Sequence, residues 1–229
     1  MLFRSAGTIT LGGAPFVQGN PRVAREQGVA IIYQEPSLFP DLTLAENVYV
    51  GRQPVRGRRV DWAAMRQQVA ELFEGLGIHL DPQRLARGLS IADQQMVEIV
   101  KALSTDARII IMDEPSAALS SAEVDRLLGV ARRLRDQGRG VIYISHRLDE
   151  VMDLCDSVTV MRDGATVASA PVADVDQAQI VRWMVGREIT DMYPKVDAVI
   201  GEVALQVEAL DRKSTRLNSS HIPLSRMPS

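Results

Sequence analysis

The sequence predicts an α/β protein, with a parallel-sheet core and an inserted α-helical subdomain. Three observations carry this reading. Short apolar runs recur at 28–33, 108–113 and 140–145. Helical periods alternate with them after residue 104, and a long helical stretch, 36–104, separates the first run from the second. Continuous apolar runs, as opposed to strict alternation, mark parallel strands covered on both faces.

Each element has its own local reason. Residues 6–13 alternate apolar and polar side chains and stop at Gly12-Gly13, so they read as a strand, while 28–33 is an apolar run begun by Gly28. From Ser37 the period turns helical, interrupted by Pro54, Gly57, Pro82 and Gly88. Trp62, Met65, Val69, Leu72 and Phe73 recur there at helical spacing. A strand at 108–113 follows, then a helix at 121–137 with Val124, Leu127, Leu128, Ala131 and Leu134 on one face. A strand at 140–145, a helix at 148–154 and a strand at 157–162 complete the pattern.

Composition excludes several functions. Lys plus Arg total 26 against 29 acidic residues, without the basic stripe that nucleic-acid binding needs, so no nucleic-acid partner is expected. No apolar stretch approaches the roughly 20 residues of a membrane span. The single cysteine, Cys155, cannot form an internal disulfide, and no leader-like segment opens the chain, so a reducing, cytoplasmic setting is expected. The ends read differently from the middle. Residues 211–229 are polar and aperiodic, and 211–221 resembles a translated DNA-sequencing adapter, as does 1–5 on the opposite strand. The natural segment is therefore expected to be 6–210.

Four segments carry chemistry. The run Ile109-Ile110-Ile111-Met112 delivers Asp113 and Glu114 at a strand's C-terminal end, the edge where open α/β sheets bind ligands. Adjacent acids suit phosphoryl transfer, one holding Mg²⁺ and the other polarising a water. A second apolar strand delivers His146 to the same expected edge, where an imidazole can hydrogen-bond a terminal phosphate. Ser90, with Asp93 three residues on, reads as the N-cap of an amphipathic helix. The free N–H groups at Ile91, Ala92 and Asp93, with the Ser90 hydroxyl, would form an anion site. Gln34 follows an apolar strand at the start of the helical stretch, where an amide can reach a metal and a water.

Taken in order, these segments resemble the nucleotide-binding subunit of ABC transporters, most closely the carbohydrate-importer branch that joins two cassettes in one chain. The resemblance covers residues 6–210 and makes the core a P-loop-type sheet. It matches Gln34 to the Q-loop glutamine and residues 89–95 to the signature loop. Asp113 and Glu114 match the Walker B aspartate and catalytic glutamate, residues 116–120 the D-loop, and His146 the switch histidine. The wording of 89–99 and of Tyr143-Ile144-Ser145-His146-Arg147 resembles the N-terminal cassette of importers for ribose, xylose, galactose and related sugars. Residues 6–200 would form this cassette, and 201–210 the opening of a second one.

The resemblance implies ATP and Mg²⁺ as cofactors, with Glu114, His146 and Gln34 catalytic and Asp113 and Gln34 holding the metal. Ser90, Ile91, Ala92 and Asp93 would face the ATP of the partner cassette. It implies three partners: the second cassette, membrane-spanning permease subunits and, indirectly, a periplasmic sugar-binding protein. Its place would be peripheral, on the cytoplasmic face of the cell membrane. Two features depart from the family pattern. The phosphate-cradling G-x-x-x-x-G-K-[ST] loop does not occur in the sequence and is expected upstream of Ala6, together with the adenine-stacking aromatic. Ser120 stands where many D-loops have aspartate. Two other readings of the same segments are a related ATPase in non-transport work and a nucleotide-sensing regulatory module. The first usually brings basic or coiled-coil insertions, and the intact acid at Glu114 argues against the second. Removing 211–229 is expected to leave the thermal unfolding midpoint unchanged, and a drop of several degrees would contradict the reading of that end.

Overall fold

A computed structural model describes residues 8–17 and 19–186. The expected strand at 201–210 and the tail at 211–229 lie outside the described residues. In chain order the elements are β1 (Thr10–Leu11), β2 (Ala14–Pro15), α1 (Pro21–Glu26), β3 (Val29–Ile32), α2 (Leu44–Tyr49), β4 (Val55–Arg56), β5 (Arg59–Val60), α3 (Trp62–Gly75), α4 (Ile91–Leu103), β6 (Ile109–Asp113), α5 (Ser121–Asp136), β7 (Gly140–Ile144), α6 (Leu148–Leu154), β8 (Ser157–Arg162), β9 (Ala165–Pro171) and α7 (Gln177–Val185).

β6 lies between β3 and β7, and both pairings are parallel. The register sets Ile32 beside Met112 and Met112 beside Tyr143, so the three strands end together. Gly28 admits the chain to β3 at a φ of 86°, and a Cβ there would meet Arg108 Nε at 3.1 Å. Its left-handed backbone and this close approach both call for glycine.

One face of the sheet is covered. Ile32, Ile110 and Met112 are buried against α4 and α5, and Leu127, Ala131 and Leu134 of α5 are fully buried as their spacing predicts. The other face corrects the expectation of two covered faces. Ile31, Ile142 and Ile144 remain 46%, 50% and 45% exposed, so this face is only partly covered among the described residues.

The helical stretch also contains a small β4–β5 hairpin, which the helical period masked. Trp62 begins α3 exposed, while Met65, Val69 and Phe73, one turn apart, are buried. α4 is buried nearly all round, with Met96, Val97, Ile99 and Val100 inaccessible, because α2 and α3 cover one side and β3 the other.

Two expected strands lie outside the parallel sheet. Of the 6–13 segment, residues 8–13 are described, and among them Thr10–Leu11 forms a strand that pairs antiparallel with Ala14–Pro15 apart from the parallel sheet. The 157–162 strand pairs antiparallel with β9 across an Asp163-Gly164 turn in which both residues have positive φ. Asp-Gly is a strong hairpin signal for that geometry. No helix among the described residues is long and apolar enough to cross a membrane.

The two faces should respond differently to truncation. Ile110→Ala, on the covered face of the central strand, is expected to cost about 2–5 kcal/mol, read as a fall in the urea midpoint at unchanged slope. Ile142→Ala, on the open face, should cost about 1 kcal/mol or less. Equal losses at both positions would contradict this packing.

Candidate functional site

The site grows from the common C-terminal edge of β3, β6 and β7. Beyond β3 come Tyr33 and Gln34; β6 ends at Asp113 with Glu114 next; Ser145 and His146 follow β7. Because Asp113 pairs with Ile144, and the Glu114 N–H donates to the Ile144 carbonyl at 2.9 Å, the acidic pair and the histidine emerge side by side. His146 Nδ1 stands 3.4 Å from Glu114 Oε1. The sequence reading placed these residues at one edge, and the structure brings Glu114 and His146 within reach of each other.

Glu114 takes a φ of 44°, in the left-handed region that costs a non-glycine residue about 1 kcal/mol or more. The chain reverses sharply there into the turn that holds Ser116, with the Ala117 N–H donating to the Glu114 carbonyl at 3.2 Å. Strain of this kind, on an acid at a strand end, belongs to sites where side-chain placement outweighs backbone preference.

Ser90 is the N-cap of α4, its Oγ accepting from the Asp93 N–H at 3.1 Å. This satisfies one of the expected anion-binding N–H groups, leaving Ile91 and Ala92 at the helix start. The Asp93 carboxylate pairs with Arg126 Nη1 of α5 at 2.8 Å, a partner with no local sequence signal. Among the described residues no hydrogen bond or ion pair joins 90–93 to Gln34, Asp113, Glu114 or His146. The structure thus presents two separate groups, an acidic strand-end edge with His146 and a capped helix start.

The connection between them is Gln95, a buried residue two positions after Asp93. Its Nε2 donates to the Gln34 carbonyl at 3.1 Å and reaches the Tyr33 carbonyl at 3.4 Å. Glu98 of α4 accepts from the Ser37 N–H at 3.2 Å. Farther along, Asn47 is buried, accepting from the Phe39 N–H at 2.7 Å and donating to the Phe39 and Thr43 carbonyls at 3.0 Å. The segment leaving β3 is therefore pinned by Gln95 and Glu98 from far along the chain and by Asn47 from nearby. Ser120, at the end of the turn after β6, is turned inward to its own helix. Glu123 accepts from both its N–H and its hydroxyl, at 2.9 and 2.7 Å, and these bonds lower the Glu123 pKa.

The sequence reading also left Glu150 aside, since an acid in the first turn of α6 looks like a favourable surface charge at a helix start. It is instead 2% exposed, with Oε2 accepting from Ser116 Oγ at 2.6 Å and Tyr143 OH at 2.7 Å.

The donor set can be tested against Mg²⁺. No cluster of three His, Cys, Asp or Glu among the described residues could hold a metal alone. Asp113 and Gln34 are both exposed at the edge and offer hard oxygens. That fits Mg²⁺, which takes one or two carboxylates and completes its shell with water and substrate phosphates.

Comparison with known proteins gives consistent results. A family model described as ABC transporter matches residues 2–117. The ribose import ATP-binding protein RbsA 2 of Streptomyces avermitilis is 54% identical over 209 residues, which are 91% of this chain and 41% of that protein. RbsA of Rhodococcus jostii is 51% identical over 207 residues, 90% and 41% respectively. The chain thus spans about two fifths of the length of these relatives. Among solved structures, cbiO1 of Clostridium perfringens, part of the transporter complex cbiONQ, superposes with a TM-score of 0.65 at 23% identity. The match covers 81% of this chain and 74% of that one. The ADP conformation of MJ1267, an ATP-binding cassette, gives 0.64 at 22% identity, with 76% and 75% covered.

Backbone strain at the edge yields a stability test. Glu114→Gly is expected to hold or raise stability, by up to about 1 kcal/mol, because glycine accepts positive φ freely. Glu114→Val, β-branched, should lower stability by about 1–2 kcal/mol. Urea unfolding of both variants measures the difference, and a glycine variant less stable than the valine variant would contradict the strain at this position.

Proposed function

The chain belongs to the ABC transporter family, and on that premise we propose that it is part of an ATP-binding, ATP-hydrolysing subunit that energises import of a monosaccharide. The observation that carries this reading is the convergence of Asp113, Glu114 and His146 at one edge of the parallel sheet, with His146 Nδ1 3.4 Å from Glu114 Oε1. The names of its relatives, ribose import ATP-binding proteins, support a sugar as the cargo.

In this proposal each residue has a separate duty. Glu114 orients the attacking water and accepts its proton, which requires a carboxylate within reach of a solvent-facing site. His146, beside it, donates to the terminal phosphate and reports its presence to β7 and α6. Asp113 and Gln34 would hold Mg²⁺, whose charge, when bound with nucleotide, offsets that developing on the phosphates. Ser90, Ile91, Ala92 and Asp93 face the nucleotide held by a second cassette, where the α4 N-terminus favours an anion. The separation between this group and the catalytic edge supports a site shared between two cassettes.

The proposed partners are a second cassette, joined in the same polypeptide, and membrane-spanning permease subunits. A periplasmic sugar-binding protein is linked through them. The proposed location is the cytoplasmic face of the cell membrane. Closure around nucleotide would then move the helical segment against the permease.

The 229-residue chain alone is expected to turn over ATP negligibly. Its sequence has no Gly-rich Lys-Ser/Thr loop, and losing even one donor to a developing oxyanion costs about 10²-fold or more. Magnesium-dependent turnover by the purified chain at ordinary enzyme rates would contradict this. In a protein of the relatives' full length carrying this segment, Glu114→Gln should retain ATP affinity while abolishing single-turnover hydrolysis. Asp113→Asn should weaken Mg²⁺ and nucleotide together. Hydrolysis by Glu114→Gln at the unaltered rate would overturn the assignment.

A further inference from the structure

The network around Glu150 is the strongest buried polar feature outside the catalytic edge. Its side chain is 1% exposed, and a carboxylate so placed must be compensated. Compensation comes from both sides of the site. From the turn after Glu114, Ser116 Oγ donates to Oε2 at 2.6 Å; from β7, Tyr143 OH donates to the same oxygen at 2.7 Å. The residue after His146 contributes Arg147, whose Nε lies 2.9 Å from Oε1 off the hydrogen-bonding direction, so that contact is ionic. Ser145, the residue before His146, stands 3.4 Å from Oε2 and accepts from the Arg147 N–H at 3.0 Å.

The hydroxyls of Ser116 and Tyr143 thus converge on one oxygen of Glu150. Both bonds have the short lengths of charge-assisted O–H···O⁻ contacts. Tyr143 is correspondingly kept protonated: burial raises its pKa most, and the bond to Glu150 adds to this.

We propose that Glu150 is a positioning residue, whose buried carboxylate clamps the turn carrying Glu114 to the strand end carrying His146 and so sets the spacing between those two groups. With its side chain 1% exposed, it is placed to act through its neighbours. The anchored residues are Ser116, two positions after Glu114, and Ser145 and Arg147, on either side of His146. Besides the His146–Glu114 contact itself, the Glu114 N–H bond to the Ile144 carbonyl joins the two segments, and that bond fixes backbone without setting side-chain direction. The importance of this clamp for turnover rests on the hydrolytic reading above, whereas the clamp itself does not.

The test uses ring-nitrogen NMR of the 229-residue chain, whose three histidines, His79, His146 and His221, give a readable spectrum. Glu150→Gln keeps the volume and removes the charge. It is expected to shift the His146 ring resonances while leaving those of His79 in place. Glu114→Gln should shift His146 as well, and the double variant should add little to the larger single shift, because both act through one contact. Amide exchange supplies a second readout. The Ala117 and Leu119 amides should exchange about tenfold faster or more in Glu150→Gln, as expected for loss of a charge-assisted bond, with the α5 core amides unchanged. Should Glu150→Gln fold poorly, Ser116→Ala removes one anchor without touching the buried charge, and should produce the same pattern in smaller measure. Unchanged His146 resonances in a folded variant, or acceleration spread equally through α5, would overturn the clamp. Failure of Glu114→Gln to block hydrolysis, with the His146 shifts as expected, would overturn the functional reading alone.

Discussion

The parallel register of β6 between its two neighbours is the constraint on which the rest depends. Parallel pairing aligns strand ends, so an apolar strand on either side of Ile109–Asp113 delivers its next residues to one edge. A slip of one residue would reverse which side chains face the core, exposing Ile110 and Met112 and burying Asp113. The full burial of Ile110 and Met112 against α4 and α5 excludes that alternative. Core packing on one face thereby fixes the position of the polar groups at the end.

α4 is the second organising element. It is apolar nearly all round because it lies between the sheet and α2 and α3, and its few polar residues each have a defined place. Ser90 closes its start, Asp93 meets α5, Gln95 holds the Gln34 carbonyl, and Glu98 holds the Ser37 N–H. A single rigid helix thus touches both the proposed partner-facing group and the segment that leaves β3. Movement of one would carry to the other through packing, without any flexible link. This supports the view that the inserted helical stretch senses the state of the catalytic edge.

Much of this was legible in the sequence where local rules suffice. The strands ending at Asp113 and before His146, the α5 stripe and the Ser90 cap follow from apolar runs, 3.6-residue spacing and a serine placed three residues before an acid. The β8–β9 hairpin was also written locally, in Asp163-Gly164, although the 157–162 run taken alone gives no hint of its antiparallel partner. What local pattern does not carry is long-range polar pairing. Glu150, Gln95 and Arg126 look like ordinary surface residues of helices, and only the packing of distant segments buries or pairs them. The open face with Ile31, Ile142 and Ile144 is similar, since an apolar run marks a buried strand without saying what covers each side.

The central claim is that Gln34, Asp113, Glu114 and His146 form one site for magnesium nucleotide. Paramagnetic broadening by Mn²⁺ with ATP, recorded on a protein of the relatives' full length carrying this segment and compared with Mn²⁺ alone, reads this directly even when binding is weak. The claim predicts that ATP concentrates broadening on the Gln34 side-chain amide, the backbone amides of Asp113 and Glu114, and the His146 ring, and leaves β8 and β9 sharp. Broadening spread over the acidic surface alike with and without ATP, or confined to segments away from the strand ends, would contradict it.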